Sequence, residues 1–246
     1  MTDSDINAST VQYTNQTFYD SLWAGVRLVE PRQFNTWPVI EALAQTAPDR
    51  LEVGAGMRPR LPIQGTHFAD ISEPALEALA KRGGKVKVAS IGELPYDDSS
   101  FDLVCALDII EHVEDDQRAL AELCRVAKPG ATVLLSTPLH MDCWTEFDTL
   151  VGHYRRYEPD QLRELLDQHQ LRVCQSGIYG MKPKSSWLVD WGMNQLQKNP
   201  QRALWWYNRV FMPMGLRFQK PLALQSGLMD LDALAEIFLV CELAKQ

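Results

Sequence analysis

The chain has 246 residues, 46% of them hydrophobic and 23% charged, with a formal net charge of −8. That size and apolar content suit one large α/β domain, or one domain with a sizeable insertion. The acidic balance argues against broad affinity for nucleic acid or anionic lipid. The five cysteines form no C-x-x-C pair, which argues against a disulfide framework or a structural zinc site, so no metal is expected.

The opening residues, MTDSDINAST, are polar and acidic, unlike the basic start and apolar run of a signal peptide. No run of about 18 apolar residues exists, so no spanning helix is expected and the cytoplasm is the simplest compartment. Residues 11–46 carry Tyr13, Phe18, Tyr19, Trp23, Phe34 and Trp37 among polar residues and read as one or two helices. Residues 1–48 are thus expected to form an N-terminal helical segment or lid, ahead of a main domain over 49–246.

From residue 50 strands alternate with helices. Strands are expected at Leu51–Val53, Thr66–Ala69, Lys85–Ala89, Phe101–Leu107, Thr132–Thr137, Leu171–Gln175 and Glu236–Glu242. Helices are expected after Ser72-Glu73-Pro74, over Asp115–Ala127 and over Pro159–His169, each with leucine or alanine on one face. Strands separated by helices of this length mean a mostly parallel sheet covered on both faces. Between the last two strands, from about 176 to 235, lies a stretch too long for a plain connection. It holds Trp187, Trp191, Trp205 and Trp206, with Phe211, Met212, Met214 and Phe218. Its own small core, an acceptor pocket, a subunit interface or a membrane-touching patch would each account for that composition.

The turn after the first strand, LEVGAGMRPRLP, places Gly54 and Gly56 where a ligand would meet the backbone. A dinucleotide fingerprint would need a third glycine opening a helix; Pro59 stands there and Pro62 follows. Interior prolines disfavour a straight helix, so a loop is expected. Glu52, a charge within an apolar strand, needs an ammonium or backbone N–H partner. Asp70 ends the second strand and could accept hydrogen bonds from two ribose hydroxyls, or cap a helix.

With these residues in place, the sequence resembles the class I S-adenosylmethionine-dependent methyltransferases. LEVGAG looks like their first motif and HFADISEPALEALAKRGG like their second strand and following helix. The most specific part is GELPYDDSSFDLVCALDIIEHVEDDQRALAELCRVAKPGATVLLSTP. GHYRRYEPDQLRELL, from Gly152 to Leu166, resembles a segment found in a subset of these enzymes. The resemblance implies a Rossmann-like, seven-stranded, mostly parallel sheet in the order 3-2-1-4-5-7-6. Its seventh strand would be antiparallel, with a helical insertion before it. It also implies S-adenosyl-L-methionine as cofactor. Gly54 and Gly56 would admit the methionine part, Glu52 would hold the loop, and Asp70 would bind the ribose. Ile71, Ile91 and Gly92 would flank the adenine, with Ser90 standing where many relatives have an aspartate. Leu107 and Asp108 would lie near the transferable methyl.

In-line displacement at a sulfonium mainly requires a well-held nucleophile, with a general base where the acceptor is a hydroxyl. His140, His153 and Asp108 are the catalytic candidates, with His112 a weaker one. Arg155 and Arg156 could bind an anionic acceptor or pair with nearby carboxylates. A small or lipid-like acceptor is expected, with no nucleic acid, and with peripheral membrane or homodimer contact through the aromatic insertion. The competing readings are a non-catalytic protein that retains the cofactor pocket and an NAD(P)-dependent oxidoreductase.

Overall fold

The computed structural model describes residues 26–179, 198 and 205–245. Tyr13, Phe18, Tyr19, Trp23, Trp187 and Trp191 lie outside them.

Eight strands form one sheet: β1 (Arg50–Val53), β2 (His67–Asp70), β3 (Lys85–Val88), β4 (Phe101–Leu107), β5 (Ala127–Pro138), β6 (Leu171–Ile178), β7 (Leu224–Ser226) and β8 (Glu236–Leu243). Their order is β3-β2-β1-β4-β5-β8-β6-β7. β3 through β5 run parallel, and β8 enters antiparallel between β5 and β6. The seven-strand expectation is therefore corrected by one. β7 adds to the free edge of β6, antiparallel, with Ser176 opposite Gln225. It comes from the segment expected to be a helical insertion. That segment also contributes a helix at Met212–Arg217.

The strands alternate their side chains between two cores, as a period of two requires. On one face Leu103 and Cys105 of β4, Leu134 of β5, and Phe238 and Val240 of β8 pack with Ile40 of helix α1 (Trp37–Thr46). On the other, Val104, Ala106, Val133, Leu135, Ile237 and Leu239 meet two helices. These are α3 (Asp116–Val126), through Leu120 and Leu123, and α5 (Pro159–Gln168), through Leu162, Leu165 and Leu166. α3 begins where the Asp115 carboxylate accepts from the Arg118 N–H at 2.9 Å. α2 (Glu73–Ala80) covers β2 and β3 with Leu76 and Leu79.

β5 starts at Ala127, five residues before the expected Thr132, and takes in the Lys128-Pro129-Gly130 turn. Ala127 pairs with Phe101, and a register shift before Leu103 absorbs the extra residues. No helix follows β1. The chain from Gly54 to Thr66 is loop, as its prolines require.

Strand order reverses between β1 and β4, since β2 lies on one side of β1 and β4 on the other. The crevice at the carboxyl ends of these two strands is where an open α/β sheet binds its ligand.

Candidate functional site

Three carboxylates shape the crevice. Glu52, in β1, is buried, and its oxygens accept from the backbone N–H of Arg60 at 2.8 and 3.1 Å and of Leu61 at 2.8 Å. Of the two expected kinds of partner, the structure shows backbone. Burial pushes the Glu52 pKa up to about 7, against those same hydrogen bonds. The prolines deny this loop a helix, and Glu52 satisfies two of the N–H groups so exposed.

Asp70 closes β2 and reaches across to the glycine turn. Its Oδ2 accepts from Gly56 N at 2.8 Å and its Oδ1 from Ser72 N at 2.9 Å. Ser72, at the N-cap of α2, makes no side-chain cap bond. Gly56 sits at φ +50°, a left-handed conformation that glycine adopts without penalty.

Gly54 sits at φ +70°. A Cβ added there would lie 2.1 Å from Ile109 Cδ1 and 2.7 Å from Cγ1. The space its missing side chain opens is filled by Ile109 from the exit of β4. Replacing Gly54 with alanine is therefore expected to cost about 1–3 kcal/mol, from backbone strain and overpacking. Urea unfolding measures this. Adding Ile109→Ala should recover the packing part, and an unchanged midpoint in the single variant would contradict the contact.

The third carboxylate is Asp108, at φ +54° after β4. Its Oδ1 accepts from Ser136 Oγ at 2.6 Å, and burial raises its pKa against the lowering effects of Ser136, Arg60 and His153. Leu107 beside it is half-buried. Ile71 is half-buried after β2, whereas Ile91 is buried in the main core. The Gly92 carbonyl accepts from Arg118 Nε at 2.7 Å.

The histidine candidates separate. His140 follows β5 at φ +61°; its Nε2 lies 2.9 Å from the Leu231 carbonyl and its Nδ1 3.4 Å from Glu158 Oε2. With both ring nitrogens engaged, it ties the β5 exit to the approach to β8. His153 instead joins His112 and Glu111. Its Nδ1 lies 2.9 Å from Asp148 Oδ1, its Nε2 4.0 Å from Glu111 Oε1, and its ring meets that of His112 edge-on at 4.4 Å. Burial pushes the His112 pKa down to about 3 and raises that of Glu111 well above the ordinary carboxylate range.

Both arginines of GHYRRY face carboxylates. Arg156 is buried, with Nε and Nη2 each 2.9 Å from an oxygen of Asp148. Arg155 pairs with Asp116 at 2.5 Å. Both thus pair with carboxylates, one of the two alternatives expected of them. Burial works against ionising Asp148, yet hydrogen bonds from His153, Thr145 and Arg156 hold its pKa below the usual range.

The sequence reading did not single out Arg60. Its guanidinium lies 3.5 Å from the Phe34 ring centroid and donates to the Tyr179 hydroxyl at 2.9 Å. Its Nη1 is buried with no hydrogen-bond partner among the described residues. The available signal was a second arginine after Arg58, set between Pro59 and Pro62.

Residues 53–135, from β1 through most of β5, match the family described as "Methyltransferase domain". A tRNA (carboxymethyluridine(34)-5-O)-methyltransferase of Arabidopsis thaliana is 30% identical over 113 residues, 42% of this chain and 28% of that protein. A probable S-adenosylmethionine-dependent methyltransferase of Mycobacterium tuberculosis is 31% identical over 115 residues, 45% of this chain and 42% of that one. The chain thus matches less than half the length of either relative. A SAM-dependent methyltransferase of Thermotoga maritima shares the fold at TM-score 0.56 and 15% identity, over 87% of this chain and 91% of that one.

The matched family and the relatives named as S-adenosylmethionine-dependent support S-adenosylmethionine as the cofactor, and the residues present fit it. Buried Arg60 Nη1, a cationic donor lacking an acceptor, suits the carboxylate of a methionine group. Asp70, fixed by two backbone N–H groups, suits a ribose diol. No described helix is long and apolar enough to cross a membrane.

Proposed function

We propose that this chain transfers a methyl group from S-adenosylmethionine to a small or lipid-like acceptor by in-line displacement. The observation that carries this reading is the crevice at the strand-order reversal, where Asp70 fastens the glycine turn at Gly56 and Glu52 fastens the following loop at Arg60 and Leu61. The cofactor supplies an activated methyl on a sulfonium. The chain's part is to hold the nucleoside and to align the acceptor. Holding falls to Asp70, Gly56 and Arg60, with Ile71 and Gly92 toward the base and Leu107 toward the methyl. Asp108 and His153 are the candidates for taking the acceptor's proton; His140, engaged at both ring nitrogens, is the weaker one.

An apolar acceptor is supported by the exposed side chains of Trp205, Trp206, Phe211, Met214 and Phe218. The same side chains would make the peripheral membrane or homodimer contact expected of this segment. The net charge of −8 argues against a nucleic-acid acceptor such as the one in the Arabidopsis relative's name.

The test is ligand-dependent melting. At about 100 times its Kd, S-adenosylhomocysteine adds about 2.7 kcal/mol, a rise of about 5–10 °C for a chain of this size. NAD and NADP should add nothing. A shift with either dinucleotide, or none with S-adenosylhomocysteine, would overturn the reading.

A further inference from the structure

Glu111, His112 and His153 each offer one ligand atom, and these atoms all lie within 4.8 Å of one another. Glu111 Oε1 and His153 Nε2 are 4.0 Å apart, too far for a hydrogen bond. Two ligands on one ion, each about 2.0–2.2 Å from it, span that distance. Glu111 is 1% exposed, and its Oε2 has no hydrogen-bond partner. A buried carboxylate oxygen left in that state is costly unless something else satisfies it.

The surroundings orient the two imidazoles. His153 Nδ1 donates to Asp148, which directs Nε2 toward Glu111. Asp148 is itself clamped by Arg156 and by the N–H and hydroxyl of Thr145, both at 2.7 Å. His112 is held by a backbone hydrogen bond to Val151. A carboxylate behind a histidine, locked in its turn, is the arrangement that fixes tautomer and ring angle in histidine metal sites.

We propose that Glu111, His112 and His153 bind a divalent metal ion, with Asp148 as the positioning residue behind His153. Two imidazole nitrogens and one carboxylate oxygen suit Zn²⁺, Mn²⁺, Fe²⁺ or Co²⁺ better than the oxygen-seeking Ca²⁺ or Mg²⁺. Three protein ligands leave coordination positions open, the pattern of a reactive rather than a structural site. The cluster begins three residues after Asp108. An acceptor hydroxyl seated on an open position would be polarised beside the expected methyl position; that role, unlike the site itself, rests on the methyltransferase reading.

Chelator-stripped full-length protein, in a Cys143→Ser background to remove an exposed thiol, should be titrated calorimetrically with Mn²⁺ and with Zn²⁺. One equivalent is expected to bind and to raise the melting temperature. Glu111→Gln keeps the side chain's shape, removes a buried charge and is expected to fold; it should weaken binding at least about 100-fold, beyond the 10–100-fold typical of an outer-shell change. His153→Gln should do the same. Absence of binding by the parent, or undiminished binding by Glu111→Gln, would overturn the site. S-adenosylhomocysteine binding on the same samples separates the two claims. Cofactor binding without ion binding sinks the metal site alone. Ion binding without cofactor binding leaves the site standing and sinks the methyltransferase reading.

Discussion

Replacing Asp148 with alanine is expected to cost about 3–5 kcal/mol of folding stability, the range for breaking a buried ion pair by removing one partner. Asp148 is fully buried and accepts from Thr145 N, Thr145 Oγ1, His153 Nδ1, and Arg156 Nε and Nη2. Truncation leaves the Arg156 guanidinium inside the protein with one remaining acceptor, the Leu139 carbonyl at 3.4 Å. Water cannot reach it without opening the segment that runs from α4 (Glu146–Leu150) to α5. Against a total of about 5–15 kcal/mol for a typical domain, a loss of this size is a large share. Urea unfolding of Asp148→Ala, Arg156→Met and the double variant measures it. The double variant should be the more stable of the two that lack Asp148, because it no longer buries an unpaired charge. A single-variant loss under about 1 kcal/mol would mean that solvent already reaches the pair.

This network also shows why parts of the site were hidden from the sequence. Asp108-Ile-Ile-Glu111-His112, Asp148 and His153 are visible as separate chemical residues, but only the fold brings 111–112 beside 148–153. The His153–Asp148–Arg156 chain needs the turn at Gly152, at φ +72°, to bring its members together. The main sheet was legible because its signals are local: Leu103–Leu107 is one apolar run, and α3 and α5 carry leucines at helical spacing. The loop after β1 was legible through Pro59 and Pro62. β7 was not, since it is three residues, one of them apolar, placed by its pairing with β6. Nor was the early start of β5, because Lys-Pro-Gly signals a helix stop equally well whether coil or a bulged strand follows. Gly54 is the subtler case. The need for a glycine could be read, but its cause, an isoleucine fifty-five residues on, belongs to tertiary packing.

Replacing Asp70 with alanine is expected to lower S-adenosylhomocysteine affinity by at least about 100-fold. Hydrogen bonds to a charged acceptor contribute about 1.5–3 kcal/mol each, and a ribose diol offers two; about 2.7 kcal/mol is already a hundredfold in Kd. A second loss compounds the first. Without the carboxylate, the N–H groups of Gly56 and Ser72 lose their acceptors at 2.8 and 2.9 Å, and the glycine turn is no longer tied to β2. Two comparisons separate holding the sugar from holding the turn. Melting of the ligand-free variant reports the turn, and calorimetry with adenosine alone, which keeps the ribose and lacks the methionine end, reports the sugar. Asp70→Asn retains one acceptor oxygen and should fall between alanine and wild type in both. If Asp70→Ala melts lower yet binds S-adenosylhomocysteine within threefold of wild type, the carboxylate only fastens the loop. The sugar must then be held elsewhere in the crevice. If affinity collapses while the melting point holds, the carboxylate serves the ligand first, and the geometry of β1, β2 and the glycine turn exists to present it.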